Sequence, residues 1–242
     1  KNNEVKKESI TKPSVEIATS NEGLIEDVDD YGLTYYFRGN VNNNYVKFAN
    51  ELWRIIRING DGSVRLILNE PLNELSSFSS KVEDSEKYDK IDITTKLNNY
   101  YEATLKNNEA YIANTKFCKE TEGFTNNSSK TYNAYTRLVT NNIPSFNCLG
   151  ETYRSRIGLM TTDEAAFAGG NFKDNNKEYY LYNEDIEDTW WLSNLAKTKD
   201  NSFYPFSITK DGKISDSTTA TSYKNVRPVI NIIKKAIVKG SG

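Results

Sequence analysis

A chain of 242 residues with 37% hydrophobic side chains is long enough to bury a core of its own, and its 12% aromatics (16 Tyr, 10 Phe, 3 Trp) must supply much of that interior. Lys and Arg number 31 against 33 Asp and Glu, a net charge of −2 that gives no general attraction to nucleic-acid phosphates or anionic lipids. Histidine is absent, which excludes every Ser-His, Cys-His and His-ligated metal mechanism, and no run of about 18 apolar residues exists that would cross a membrane as a helix.

Residues 1–30 are charged and β-branched without sustained period and include Pro13, which predicts a linker or stalk and a domain start at Tyr31. The first residue is Lys1, so an export leader or membrane anchor is expected upstream. Leu33 to Arg38 reads as a strand, Asn42-Asn43-Asn44 as a turn and Tyr45 to Phe48 as the returning strand of a first hairpin. The clearest hairpin joins Leu52–Ile58 to Val64–Leu68 through Asn59-Gly60-Asp61-Gly62, where glycine accepts positive φ without a Cβ clash.

Leu72 to Lys90 is rich in Ser, Glu and Lys and reads as a surface excursion. Ile93, Leu97, Tyr100, Tyr101 and Leu105 form a stripe of helical period, with Asp92 or Thr94 as the N-cap. Phe117 to Leu149, rich in Asn, Ser and Thr and bracketed by Cys118 and Cys148, reads as a long irregular loop. Arg156 to Met160 reads as a short buried strand, and Thr161 and Glu164 have the spacing of a capping box for a helix over Asp163–Ala168 that stops at Gly169-Gly170. The segments Thr189–Leu192, Phe203–Thr209, Ile214 and Asn225–Ile233 are predicted to be strands of one sheet, and 236–242 a tail to a domain spanning 31–235.

Several phrases, taken in order, carry a resemblance: Tyr35-Tyr36-Phe37-Arg38-Gly39, Trp53-Arg54-Ile55-Ile56-Arg57-Ile58-Asn59, Gly158-Leu159-Met160-Thr161-Thr162-Asp163-Glu164-Ala165, Thr189-Trp190-Trp191-Leu192-Ser193 and Val226-Arg227-Pro228-Val229-Ile230-Asn231. As a set they resemble a family of surface and pilin-like proteins of low-GC Gram-positive bacteria. The closing Trp-Trp-Leu-Ser and Val-Arg-Pro-Val-Ile-Asn phrases are similar to the end of C-type-lectin-like domains related to the formylglycine-generating enzyme. The resemblance implies an α+β C-type-lectin-like domain with twisted antiparallel sheets, two helices and long irregular loops. It departs from that pattern at Asn194-Leu195-Ala196, which stands where relatives have a Ser-Pro-rich turn.

On the exported reading, Cys118 and Cys148 are expected to close one disulfide around the polar loop; two unrelated buried thiols are the alternative. A copper-binding cysteine pair of the formylglycine-generating kind does not match, because those cysteines lie close together in sequence. Asp27-Val28-Asp29-Asp30-Tyr31-Gly32 opens like an EF-hand loop but fails at Tyr31 and at Arg38, where the loop needs a bidentate Glu. No metal and no cofactor are therefore expected, with calcium on Asp185, Glu187 and Asp188 as the alternative. At strand period one ring of Trp190-Trp191 faces inward and the other outward. Arg227 is expected to be a buried ion-pair partner that orients the last strand. Tyr179, Tyr180, Tyr182, Trp191 and Tyr223 are candidate stacking faces, and Asn183, Asp185 and Asn225 candidate polar contacts, for a glycan or protein ligand.

The expected function is a non-catalytic extracellular domain, anchored at the cell surface or associated with a pilus, that binds a glycan or protein on a host or neighbouring cell. No nucleic-acid partner is expected, and membrane attachment only through a segment outside this chain. The alternative is an exported histidine-free enzyme such as a carboxylate-dependent glycosidase.

Overall fold

The computed structural model describes residues 14–236. The strands in chain order are β1 (Asn21–Asp29), β2 (Gly32–Gly39), β3 (Tyr45–Phe48), β4 (Glu51–Ile58), β5 (Val64–Leu68), β6 (Ser76–Ser77), β7 (Thr115–Lys119), β8 (Gly123–Asn126), β9 (Ser129–Tyr132), β10 (Glu151–Ser155), β11 (Ile157–Gly158), β12 (Trp190–Lys199), β13 (Ser202–Ile208), β14 (Ile214–Ser215), β15 (Tyr223–Lys224) and β16 (Val229–Ile232). Helices are few: α1 (Asp92–Tyr100), the single turn α2 (Asn133–Tyr135) and α3 (Thr162–Phe167). The result is a mostly sheet α+β fold whose paired strands run antiparallel. No helix among the described residues is long and apolar enough to cross a membrane.

A seven-stranded sheet runs β1-β2-β4-β5-β16-β11, with β3 also paired to β4, and a five-stranded sheet runs β14-β13-β12-β9-β8. The final segment therefore does not join β12, β13 and β14 in one sheet: β16 pairs with β5 and β11. All residues of β5 and β16 are buried, because both faces of these central strands are covered. Ile67 and Val229 enter one core with Met160, Trp190 and Phe206, while Leu66 and Ile230 enter a second with Trp53, Leu97 and Trp191.

The β4–β5 hairpin forms as its sequence predicts, with Gly62 at φ 82° in the turn. The expected first hairpin does not. β3 pairs with β4, and β2 pairs with β1 in register from Leu24–Phe37 to Asp29–Gly32. The domain start at Tyr31 therefore falls inside the tip of a hairpin, and residues 14–30 are no linker: Ala18 is buried and its N–H donates to the Gly169 carbonyl at 3.2 Å. Residues 1–13 of the expected stalk, and 237–242 of the expected tail, lie outside the described residues.

Phe117 to Leu149 also departs from expectation. It holds most of β7, all of β8 and β9, and a helical segment through Thr140, with Phe117, Tyr132, Ala134 and Leu138 buried. Polar side chains fill its solvent faces, which hides the strand alternation. Within the 72–90 excursion, Ser76, Ser77 and Phe78 are buried through the pairing of β6 with β15.

The stripe Ile93, Leu97, Tyr101 and Leu105 is buried in the second core, over α1 and the wider π turn Tyr101–Leu105 that continues it. The N-cap is Ile91 without side-chain capping. Asp92 instead accepts from the Ser80 N–H at 2.7 Å and from the Ser77 hydroxyl, tying the helix to the preceding loop. For α3 the capping box forms in full: Glu164 N donates to Thr161 Oγ1 at 3.1 Å and Thr161 N to Glu164 Oε2 at 2.9 Å.

Candidate functional site

Segment 171–193 folds inward, so most of the aromatic surface expected there does not exist. Tyr179, Tyr180 and Trp191 are buried; the Tyr179 hydroxyl donates to the Gly212 carbonyl at 2.9 Å and Trp191 Nε1 to the Ser76 carbonyl at 2.9 Å. The expectation of one outward tryptophan fails for a simple reason. The alternation holds, with Trp190 in the first core and Trp191 in the second, but apolar residues cover both faces of β12. Asn225 is buried and Asn183 donates to Glu70 at 2.9 Å. Tyr182 is half-buried, and only Asp185 and Tyr223 keep an exposed side chain.

Arg227 has no ion-pair partner among the described residues. Its Nε donates to the Leu68 carbonyl at 3.0 Å and its Nη1 to the Leu181 carbonyl at 2.9 Å, with the guanidinium 4.8 Å from the centre of the Trp190 ring. Burial pulls its pKa down to about 10, so it stays charged at neutral pH on carbonyl dipoles and a π face. Asp188 pairs with Lys224 at 3.1 Å rather than converging with Asp185 and Glu187. Among the described residues no three His, Cys, Asp or Glu side chains gather as metal ligands.

The structure instead brings charged residues from six separate segments into one open cleft with a cavity volume of about 60 Å3. β4 supplies Arg57, β5 Arg65, the β1 end Asp29, the residue after β7 Glu120, the segment after α2 Arg137, and α3 Asp163 and Glu164. Arg57 donates to Asp29 Oδ2 at 2.5 Å and to Glu164 Oε1 at 3.2 Å, and Arg65 Nε lies 2.5 Å from the same Glu164 oxygen. Arg137 holds Glu120 at 2.6 and 2.8 Å and Asp163 at 3.0 and 2.7 Å.

Further donors complete the carboxylates. Ser145 N donates to Asp163 at 2.8 Å, Asn194 Nδ2 to Glu120 at 3.1 Å, and Gly60 N to Asp29 at 3.1 Å. Gly60 is required there, since a Cβ would stand 2.6 Å from Asp29 Oδ1 and 2.7 Å from the Gly32 nitrogen. Two guanidiniums face aromatic rings, Arg57 at 4.9 Å from Phe146 and Arg65 at 4.9 Å from Phe117.

Burial raises the pKa of both acids of α3, but the outcomes differ. For Glu164 the charges of Arg65 and Arg57 with the Thr161 N–H outweigh burial and hold the carboxyl below its ordinary value. For Asp163 burial prevails over Arg137, helped by the nearby Glu120 charge, and the carboxyl is pushed up. Burial lowers Arg137, yet its two carboxylates reverse that and raise it.

The disulfide closes the rim. Cys118 and Cys148 are bonded across 30 positions, which joins β7 to the loop before β10, and the Cys148 N–H donates to Asp30 Oδ2 at 3.2 Å. Alkylation of the unreduced protein should label no thiol. A paired Cys118→Ser, Cys148→Ser variant should lose about 3–4 kcal/mol of stability on the loop-entropy estimate, readable by urea denaturation. Two labelled cysteines without reduction would contradict the bond.

No protein-family model, no curated protein and no solved structure matches the chain. The one sequence signal for the cleft was a set of arginines inside apolar strands: Arg57 and Arg65 interrupt runs that read as core, and a buried cation needs compensating partners, which here are carboxylates.

Proposed function

We propose that the chain is a non-catalytic extracellular domain of C-type-lectin-like kind, displayed at a cell surface or on a pilus-like filament, and that it binds a glycan or a protein through the cleft and its rim. One observation carries this reading: each buried carboxylate in the cleft is already held by arginine or by N–H donors, so none of these stands free as a general acid, base or nucleophile. A glycosidase needs two carboxyl groups that give and take protons across a gap. Here Glu120 and Asp163 both close on one guanidinium. The disulfide supports an oxidising compartment. At the cleft Tyr31 is 45% exposed, an aromatic face of the sort that contact surfaces carry.

The test is incubation of the labelled domain with a glycan array and with immobilised matrix and cell-wall proteins, followed by mass analysis of the bound material. Saturable binding with the ligand recovered intact is expected. Cleavage or modification of a ligand would overturn the reading, as would the absence of binding to both arrays.

A further inference from the structure

Not every donor in the cleft is used. Arg57 commits Nε and Nη1 to Glu164, Asp29 and Thr34, and Arg65 commits Nη2 to Glu164 and the Leu159 carbonyl, while the buried Arg65 Nε lies 2.5 Å from Glu164 Oε1 without a hydrogen bond. Nη2 of Arg57 and Nη1 of Arg65 have no acceptor among the described residues, and neither is sealed from solvent. Both side chains line the cleft, and Arg65 is only 4% exposed. Two arginines fixed by packing, both lining the cleft and each with an N–H group left over, form a preorganised pair of donors for a planar anion. Lys116 lines the same cleft from the exposed side of β7. At this end Arg57 and Arg65 pair with Asp29 and Glu164, Lys116 adds a third cation to the lining, and Asp30 adds a third carboxylate, which takes the Cys148 N–H.

We infer that the Arg57–Arg65 end of the cleft, with Lys116 at its edge, binds the carboxylate of an acidic sugar of the uronate type. The sugar part follows from what surrounds the free donors. Tyr31 is 45% exposed and offers a ring face to a pyranose, and Asn147 and Thr152 offer short polar groups to its hydroxyls. The inference rests on the binding reading above and narrows it to one ligand class. An uncharged sugar offers the same guanidiniums only neutral hydroxyl oxygens, a weaker contact than a carboxylate makes.

The experiment is titration of the isotopically labelled, disulfide-intact protein by NMR with D-glucuronate, with D-glucose as its neutral match and N-acetylglycine as a carboxylate without a sugar. Glucuronate should shift the Nε resonances of Arg57 and Arg65 and bind more tightly than either control. Lys116→Glu sits at an exposed position and should fold with an unchanged melting temperature, yet weaken glucuronate about tenfold, as expected for losing one charge-assisted contact. Arg57→Lys keeps the charge opposite Asp29 but removes Nη2, and should weaken it comparably. Equal binding of glucose would overturn the carboxylate assignment, and equal binding of N-acetylglycine the sugar assignment. Unchanged affinity in folded Lys116→Glu would place the ligand elsewhere. A protein that binds neutral glycans or proteins on the arrays but ignores glucuronate keeps the binding function and overturns this inference alone.

Discussion

Trp191→Ala should destabilise the protein by about 3–5 kcal/mol, in the range for truncating a buried tryptophan to alanine. The indole is fully buried, packs edge-on against Phe78 at 5.8 Å, and donates to the Ser76 carbonyl. The substitution therefore leaves a cavity in the second core and a buried carbonyl without its donor. Urea denaturation monitored by circular dichroism reads the effect. A loss below about 1 kcal/mol would mean that the ring is not core, and would return Trp191 to the surface role that its sequence position suggests.

Glu164→Gln should cost a similar 3–5 kcal/mol at neutral pH, for a different reason. The neutral amide leaves Arg57 and Arg65, both largely buried, with Asp29 as the only remaining carboxylate in hydrogen-bond contact, and removing one member of a buried pair is far costlier than never having built it. It also weakens the capping box, because the same carboxylate accepts the Thr161 N–H. The pH dependence gives an independent check. The Glu164 pKa is lower in the folded state than its ordinary 4.5, so the unfolded chain binds more protons between the two values. The stabilisation is complete above about pH 4.5 and fades as pH falls through the folded value, so parent and variant curves should converge in acid. Asp163 acts in the opposite sense. Its raised pKa means that the folded state takes up a proton first, so stability from this group increases as pH falls through the folded value. Parallel curves with no convergence would show that Glu164 does not titrate as the geometry requires.

What could be read in the sequence follows from which interactions are local. The β4–β5 hairpin and the Thr161–Glu164 capping box are set by neighbours within a few residues, and both form as expected. β1 was not legible because Glu22, Glu26, Asp27 and Asp29 mask its few apolar positions, and its partner β2 alone reveals it. The strands inside 117–149 were hidden in the same way, since Thr125, Asn126, Ser129 and Thr131 read as loop until a neighbouring strand takes their backbone groups.

The cleft was less legible still. Asp29 and Arg57 are 28 positions apart, and Arg57 and Glu164 are 107 apart, so no spacing rule joins them. The misplaced aromatic site has the converse cause. Tyr179, Tyr180 and Trp191 carry polar tips that suit a wet surface, but their hydrophobic area is worth more inside a chain with so few aliphatic residues.

Because Trp190 and Trp191 point into different cores, β12 is a party wall: neither chamber can be emptied without stripping a lining of the other. The central strands β5 and β16 are shared in the same way. Melting should therefore be all-or-none, with calorimetric and van't Hoff enthalpies in agreement, and the amides of β12 should exchange with solvent only through global unfolding. A fragment cut on either side of β12 would carry half of two unfinished interiors, so limited proteolysis should yield no stable sub-fragment.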